Sequence, residues 1–182
     1  SGLLKKVGIY NHDSFCIFHP GARIFDRLES WKFAELADRI YEKYNIKILF
    51  TWAPGQKELV DQIIQKIKTA SYALLSSNLQ ELGAITLRAQ FVVCHNGGYM
   101  HMVSVLGTPV VALFGWANPA IWKPIGDKSE VVYKNLECSP CGSKTIKSEC
   151  LAGDPECKRL ITVDDIISAI KKVYFPPIIA NE

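Results

Sequence analysis

Residues 91–115 constrain the fold more tightly than any other part of the sequence. Phe91, Val92, Val93 and Cys94 make a short apolar, partly β-branched run of the kind buried inside a parallel sheet. Asn96-Gly97-Gly98 then breaks the run abruptly, and its two glycines leave no side chain between the backbone amides and whatever lies above the strand end. A helix is expected next, with Met100, Val103, Val105 and Leu106 as its apolar positions; Gly107-Thr108-Pro109 ends it, and residues 110–114 form another buried strand. The unit is β-α-β with a glycine turn at the carboxyl end of its first strand, where open α/β sheets bind ligands. Free amides at the start of the helix suit an anion such as a diphosphate. Because any α/β connection can use glycines, the functional reading also leans on His101, which falls in the first helical turn.

The strand-turn-helix joint recurs twice upstream. Residues 15–18 read as a strand that delivers His19-Pro20-Gly21-Ala22-Arg23 into a loop, and residues 46–52 as a strand that ends in Ala53-Pro54-Gly55-Gln56. Between them Ser30 is placed to cap a helix on which Phe33, Leu36, Ala37, Ile40 and Tyr44 form one core-facing stripe. Residues 57–69 are amphipathic through Leu59, Ile63, Ile64 and Ile67, and residues 72–75 form a brief strand. Asn78 caps a helix bearing Leu79, Leu82, Ile85 and Leu87. Asn118-Pro119 starts a short helix, and Trp116 and Trp122 beside it either pack beneath a loop or line a sugar site, with packing favoured. Residues 130–133 are the last strand, and Thr162 caps a helix carrying Ile166, Ile167, Ile170 and Val173, stopped by Pro176-Pro177. Such alternation predicts an α/β domain, a Rossmann-like parallel sheet with helices on both faces, over residues 14–175. Residues 1–13 read as a tag remnant and lead-in, and residues 176–182 as a tail.

A chain of 182 residues with 48% hydrophobic and 21% charged residues suits one globular domain with a real core. Lysine and arginine exceed aspartate and glutamate by 21 to 18, a net charge of +3 that is too small to argue for nucleic acid. No apolar run approaches the roughly 20 residues of a membrane span. With no signal peptide evident, a cytoplasmic protein is expected.

Asn-Gly-Gly-Tyr-Met-His at 96–101, followed by Leu-Gly-Thr-Pro-Val-Val-Ala-Leu-Phe-Gly and Asn118-Pro119, resembles the nucleotide-sugar domain of the glycosyltransferase family 9 heptosyltransferases, enzymes of lipopolysaccharide core assembly. The family pattern has an acidic residue where this chain has Asn96, and proline where it has Tyr99. The resemblance implies one half of a GT-B fold: the C-terminal domain, which binds an ADP-sugar donor of the ADP-heptose type. It implies donor contacts from Gly21 and Ala22 of the first loop, from Arg23 or Arg27, from Gln56, and from Asn96, Gly97, Gly98, Tyr99 and His101. Gln56 stands where the family often has a glutamate near the ribose, and the residues around 75–77 and Leu79 correspond to an adenine pocket. The lipopolysaccharide acceptor and the general base would belong to an N-terminal domain, so the isolated domain should bind donor and not turn over. No catalytic metal is called for, and peripheral work at the inner membrane is implied. The changes at Asn96 and Gln56 leave open a non-catalytic nucleotide-sugar binder, and a cysteine-clasped interaction module is a further alternative.

Cys16 and Cys94 lie in expected strands and read as core. Cys138, Cys141, Cys150 and Cys157 open with a two-residue spacer, a spacing that fits a structural zinc site as well as a pair of disulfides. Without an export signal, metal or free thiols are favoured over disulfides. In related family members a similar Cys-Ser-Pro-Cys is taken as a structural clasp on a loop.

Overall fold

A computed structural model describes residues 2–22, 27–73, 78–141, 150, 153 and 155–174. In chain order the elements are α1 (Gly2–Lys6), β1 (Phe15–His19), α2 (Ser30–Tyr44), β2 (Lys47–Phe50), α3 (Lys57–Ile64), β3 (Ser71–Ala73) and α4 (Leu79–Thr86). There follow β4 (Val92–His95), α5 (Gly98–Val105), β5 (Val110–Phe114), α6 (Pro119–Trp122), β6 (Ser129–Tyr133), α7 (Glu156–Arg159) and α8 (Val163–Val173). The strands form one sheet in the order β3-β2-β1-β4-β5-β6, every pairing parallel. The order reverses between β1 and β4, which is where a sheet of this type opens a crevice for a ligand.

Strand alternation divides the core in two. Cys16 and Phe18 of β1 face a cluster built with Phe33, Leu36 and Ile40 of α2, Val60 and Ile63 of α3, and Ile166 and Ile170 of α8. Phe15 and Ile17 face the opposite cluster, with Leu4 of α1, Ile85 of α4, and Met100 and Val103 of α5. Successive side chains point to opposite faces of a strand, so one five-residue run supplies both layers. The helices therefore cover both faces, as expected.

Several helix starts follow the sequence. The Asn78 side chain accepts from the Glu81 amide at 2.9 Å, and Asn118 accepts from the Ala120 amide at 2.9 Å. Thr162 and Asp165 form a reciprocal capping box. Ser30 departs from expectation: it is the first helical residue of α2, and Glu29 holds the cap position without a side-chain bond.

The lead-in is also corrected. Rather than a linker, it contains α1, and Leu4 and Ile9 are fully buried beneath the sheet. The mixed pattern of Lys5-Lys6 beside apolar residues is a short helix with one face inward. Of the apolar positions assigned to α5, Met100 and Val103 are buried, whereas Val105 is 77% exposed. Pro176-Pro177 lies outside the described residues.

Candidate functional site

The strand β4 ends at His95, and Asn96-Gly97-Gly98 carries the chain directly into α5. Gly97 is extended at the helix boundary, no side chain caps the helix, and the His101 amide returns to the Gly97 carbonyl at 3.3 Å. The first-turn amides of α5 thus have no side-chain partner at the cap, the usual condition for an anion site. A Cβ added at Gly97 or Gly98 would meet nothing within 4 Å, so the space above the turn is open.

Among the described residues, that space opens into two cavities with the turn as their common wall. The larger, about 800 Å³, is walled by His19, Gly21 and Ala22 after β1, Trp52, Ala53, Pro54 and Gln56 after β2, Leu79 and Leu82 of α4, and Asn96, Gly97, Gly98, Tyr99 and Met102. The smaller, about 520 Å³, touches Asn96, Gly97 and Gly98 from the other side and is closed by His101, Trp116, Asn118, Ile121, Trp122 and Pro140. Both lie where the carboxyl ends of the central strands converge.

The expected site residues sort between these spaces. Gly21, Ala22, Gln56, Asn96, Gly97, Gly98 and Tyr99 meet in the larger cavity, and His101 faces the smaller one. The Gln56 amide lies across Gly21, so a Cβ there would have to push the flexible end of that side chain aside. The Oε1 of Gln56 is buried without a hydrogen bond. Arg27 lines neither cavity; its Nε donates to the Ala22 carbonyl at 3.0 Å and braces the first loop from behind. Arg23 and residues 74–77, including the base-pocket stretch, lie outside the described residues.

Other lining residues were not singled out from sequence. His19 and Trp52 sit at strand ends that the Gly-Pro turns already marked, which is the one signal available for them. The two tryptophans divide between packing and lining: Trp122 is 54% exposed and forms the rim of the smaller cavity, while Trp116 packs partly against the core below. The Cys-Ser-Pro-Cys turn closes this cavity. Ser139 Oγ donates to the Gly115 carbonyl at 2.6 Å and the Cys141 amide to the Trp116 carbonyl at 3.1 Å, which sets Pro140 in the wall.

Among the described residues the four later cysteines are not gathered into a metal-binding group. Cys138 is exposed, Cys157 is buried on α7, and among the described residues no group of three or more His, Cys, Asp or Glu side chains is placed to hold a metal. Spacing alone says nothing about which way each thiol faces. Cys16 and Cys94 are buried in their strands.

No charged side chain is among the described residues lining the larger cavity. Its polar floor is a buried hydrogen-bond set. Thr86 Oγ1 donates to the Leu82 carbonyl at 2.7 Å; its one proton is thereby used, so the Tyr99 hydroxyl at 2.9 Å is the donor to Thr86. Burial pushes the Tyr99 phenol well up, which keeps that proton in place. His19 packs on the Tyr99 ring with centroids 4.5 Å apart and bonds Thr51 Oγ1 through Nδ1 at 2.9 Å.

Burial depresses His19 from 6.5 to about 4. The unfolded chain therefore takes up this proton first, and stability that is full above pH 6.5 falls as pH drops toward 4. At about 1.4 kcal/mol per pH decade the loss is roughly 3 kcal/mol. Denaturant titrations across that range should show the decline, and a His19→Gln variant should show a shallower one.

A model of glycosyltransferase family 9 (heptosyltransferase) matches residues 6–152. The lipopolysaccharide core heptosyltransferase OpsX of Haemophilus influenzae is 30% identical over 105 residues, 55% of this chain and 29% of its own length. Lipopolysaccharide heptosyltransferase 3 of Escherichia coli (strain K12) is 26% identical over 126 residues, 66% of this chain and 36% of its own. Among solved structures, E. coli ADP-heptose lps heptosyltransferase II matches with a TM-score of 0.77 at 17% identity, over 94% of this chain and 50% of that one. E. coli heptosyltransferase WaaC with ADP matches with a TM-score of 0.68 at 16% identity, over 94% and 47%. The chain thus spans about half the length of these structures and about a third of the curated relatives. At such identities the structures speak for the fold, the Rossmann-like half of GT-B heptosyltransferases. The family model covers most of the sequence and the glycine turn it includes is the wall shared by both cavities: the chain belongs to glycosyltransferase family 9, the heptosyltransferases.

Proposed function

We propose that this chain is the C-terminal, donor-binding half of an enzyme that moves a heptose-type sugar from an ADP-sugar to a lipopolysaccharide core acceptor. The observation that carries this reading is the pair of cavities sharing the Asn96-Gly97-Gly98 wall. A nucleotide sugar is a nucleoside and a sugar joined by a diphosphate. The larger cavity suits the nucleoside, the smaller the sugar, and the turn between them the diphosphate. Apolar Leu79, Leu82 and Met102 suit a base, and the unpartnered Gln56 Oε1 suits a ribose hydroxyl. Related structures were solved with ADP and with ADP-2-deoxy-2-fluoro heptose.

As the glycosidic bond breaks, negative charge builds on the departing diphosphate. Amides at Gly97 and Gly98, with His101 beside them, would meet that charge, and a well-placed donor of this kind lowers a barrier by about 3 kcal/mol. Gly21 and Ala22 approach from the opposite side, with Arg23 the expected source of positive charge in their loop. Asn96 supplies hydrogen bonds but no carboxylate, so it does not serve as a base. The base and the acceptor site would come from an N-terminal domain, and the isolated chain would bind without turnover. No described helix is long and apolar enough to cross a membrane; work at the cytoplasmic face of the inner membrane as a peripheral enzyme is the location this reading implies.

Calorimetric titration with ADP tests the reading. Saturable binding is expected, weaker for UDP and GDP, whose bases differ from adenine. Gln56→Leu should weaken ADP about tenfold by removing the hydroxyl acceptor, a loss of ~1.4 kcal/mol. Silence toward all nucleoside diphosphates would contradict the proposal. Asn96 and Gln56, amides where the family has carboxylates, favour a second reading, a donor binder without transfer activity. Joining the chain to its N-terminal half and assaying transfer separates the two.

A further inference from the structure

His95 closes β4 one residue before the glycine turn and is 3% exposed. Its ring stands edge-on to Phe33, with centroids 5.7 Å apart. The Leu28 amide donates to its Nε2 at 3.0 Å. A ring nitrogen that accepts a hydrogen bond carries no hydrogen, so the proton of the neutral imidazole sits on Nδ1. Burial, reinforced by the positive charges of Lys158 and Arg27, holds the imidazole well below its ordinary range and so keeps Nε2 free to accept.

The link continues beyond Leu28. Arg27, its neighbour, donates through Nε to the Ala22 carbonyl at 3.0 Å. An unbroken path therefore runs from the glycine turn through His95, Leu28 and Arg27 to Ala22, which faces the turn across the larger cavity. On the other side of the ring the Pro20 backbone favours the protonated imidazole, while Nδ1 completes no hydrogen bond. Leu28 and His95 are 67 residues apart in sequence, and the β1–β4 pairing that brings their strands together ends at His19 opposite Cys94, so this bond ties the two walls beyond the end of the ladder.

We infer that His95 is a positioning residue that locks the Pro20–Ala22 backbone to the Asn96-Gly97-Gly98 turn, so that the two backbone walls grip one anion as a unit. The inference rests on the diphosphate site proposed above. Its consequence is selective: loss of the lock should weaken a ligand that carries a diphosphate and spare one that offers only the nucleoside.

The test compares ADP with adenosine on the 182-residue chain by calorimetry. His95→Phe keeps a ring but removes the acceptor, leaving the Leu28 amide buried and unmet, and should weaken ADP about tenfold or more with adenosine held within about twofold. His95→Gln restores an acceptor and should recover most of the ADP affinity. Equal loss of both ligands, or no loss of either, overturns the inference, as does a His95→Gln variant no better than His95→Phe. A measurement on the unaltered chain needs no variant to fold and no ligand to bind: a scalar coupling across the hydrogen bond between the Leu28 nitrogen and His95 Nε2 should be detected by NMR, and its absence also overturns the lock. Failure of the unaltered chain to bind ADP at all, with that coupling present, would instead refute the functional reading while the geometric link stands.

Discussion

Replacing Gly97 or Gly98 with valine should abolish nucleoside diphosphate binding and leave the folded domain as stable as before. Neither residue has the left-handed backbone that only glycine adopts readily, since the positive-φ glycines among the described residues are Gly8, Gly55, Gly107, Gly126 and Gly153. A Cβ at either position meets no protein atom within 4 Å. The fold therefore does not need these glycines. Their use is the empty space above the amides, and a valine fills it. Blocking direct approach of an anion to the helix start should cost at least a hundredfold in ADP affinity, about 2.7 kcal/mol, with the midpoint of thermal unfolding unchanged. Calorimetry and thermal unfolding of the same two variants check both halves. Unfolding of either variant would mean that the glycines serve the connection rather than the ligand.

The largest expected loss of stability lies in the layer beneath. Phe18 is fully buried on the central strand β1, paired in register with Phe50 of β2 and Val93 of β4. Its ring meets Phe50 edge-on at 5.6 Å and Phe33 of α2 at 6.1 Å. Phe18→Ala removes the ring at the point where two strands and a helix meet, and those backbones cannot close over the void. A cost of about 3–5 kcal/mol is expected, a large share of the roughly 5–15 kcal/mol that holds a domain folded. Urea unfolding should show the midpoint falling sharply; a change below about 1 kcal/mol would mean that the core relaxes around the gap. Because His19 follows Phe18 directly, loss of this anchor also loosens the first wall of the nucleotide cavity.

What the sequence made legible is what depends on near neighbours. The buried strands announced themselves as apolar runs, Asn78, Asn118 and Thr162 as helix starts, and Asn96-Gly97-Gly98 as an opening. Each of those signals is carried within a few residues. What remained hidden depends on side-chain direction or on partners distant in the chain. Trp122 reads as either packing or lining from sequence and rims a cavity, because the short helix α6 turns it outward. The four later cysteines have the spacing of a metal site, but Cys138 and Cys157 end in opposite surroundings. Residues 3–13 carry too short a pattern to announce α1, whose Leu4 finds its place only once the sheet is built. Arg27, one of the two arginines expected near the phosphate, braces the loop that carries Gly21 and Ala22. His95 carries no sequence signal of its own, and its bond to Leu28 appears only when the first and fourth strands lie side by side.

A crystal structure of the chain soaked with ADP tests the central claim most directly. The diphosphate should lie against the amides of Gly97 and Gly98, with the adenosine in the larger cavity near Leu79 and Gln56 and the terminal phosphate turned toward His101 and the smaller one. Nucleotide density at any other place, with both cavities still empty, would contradict the account.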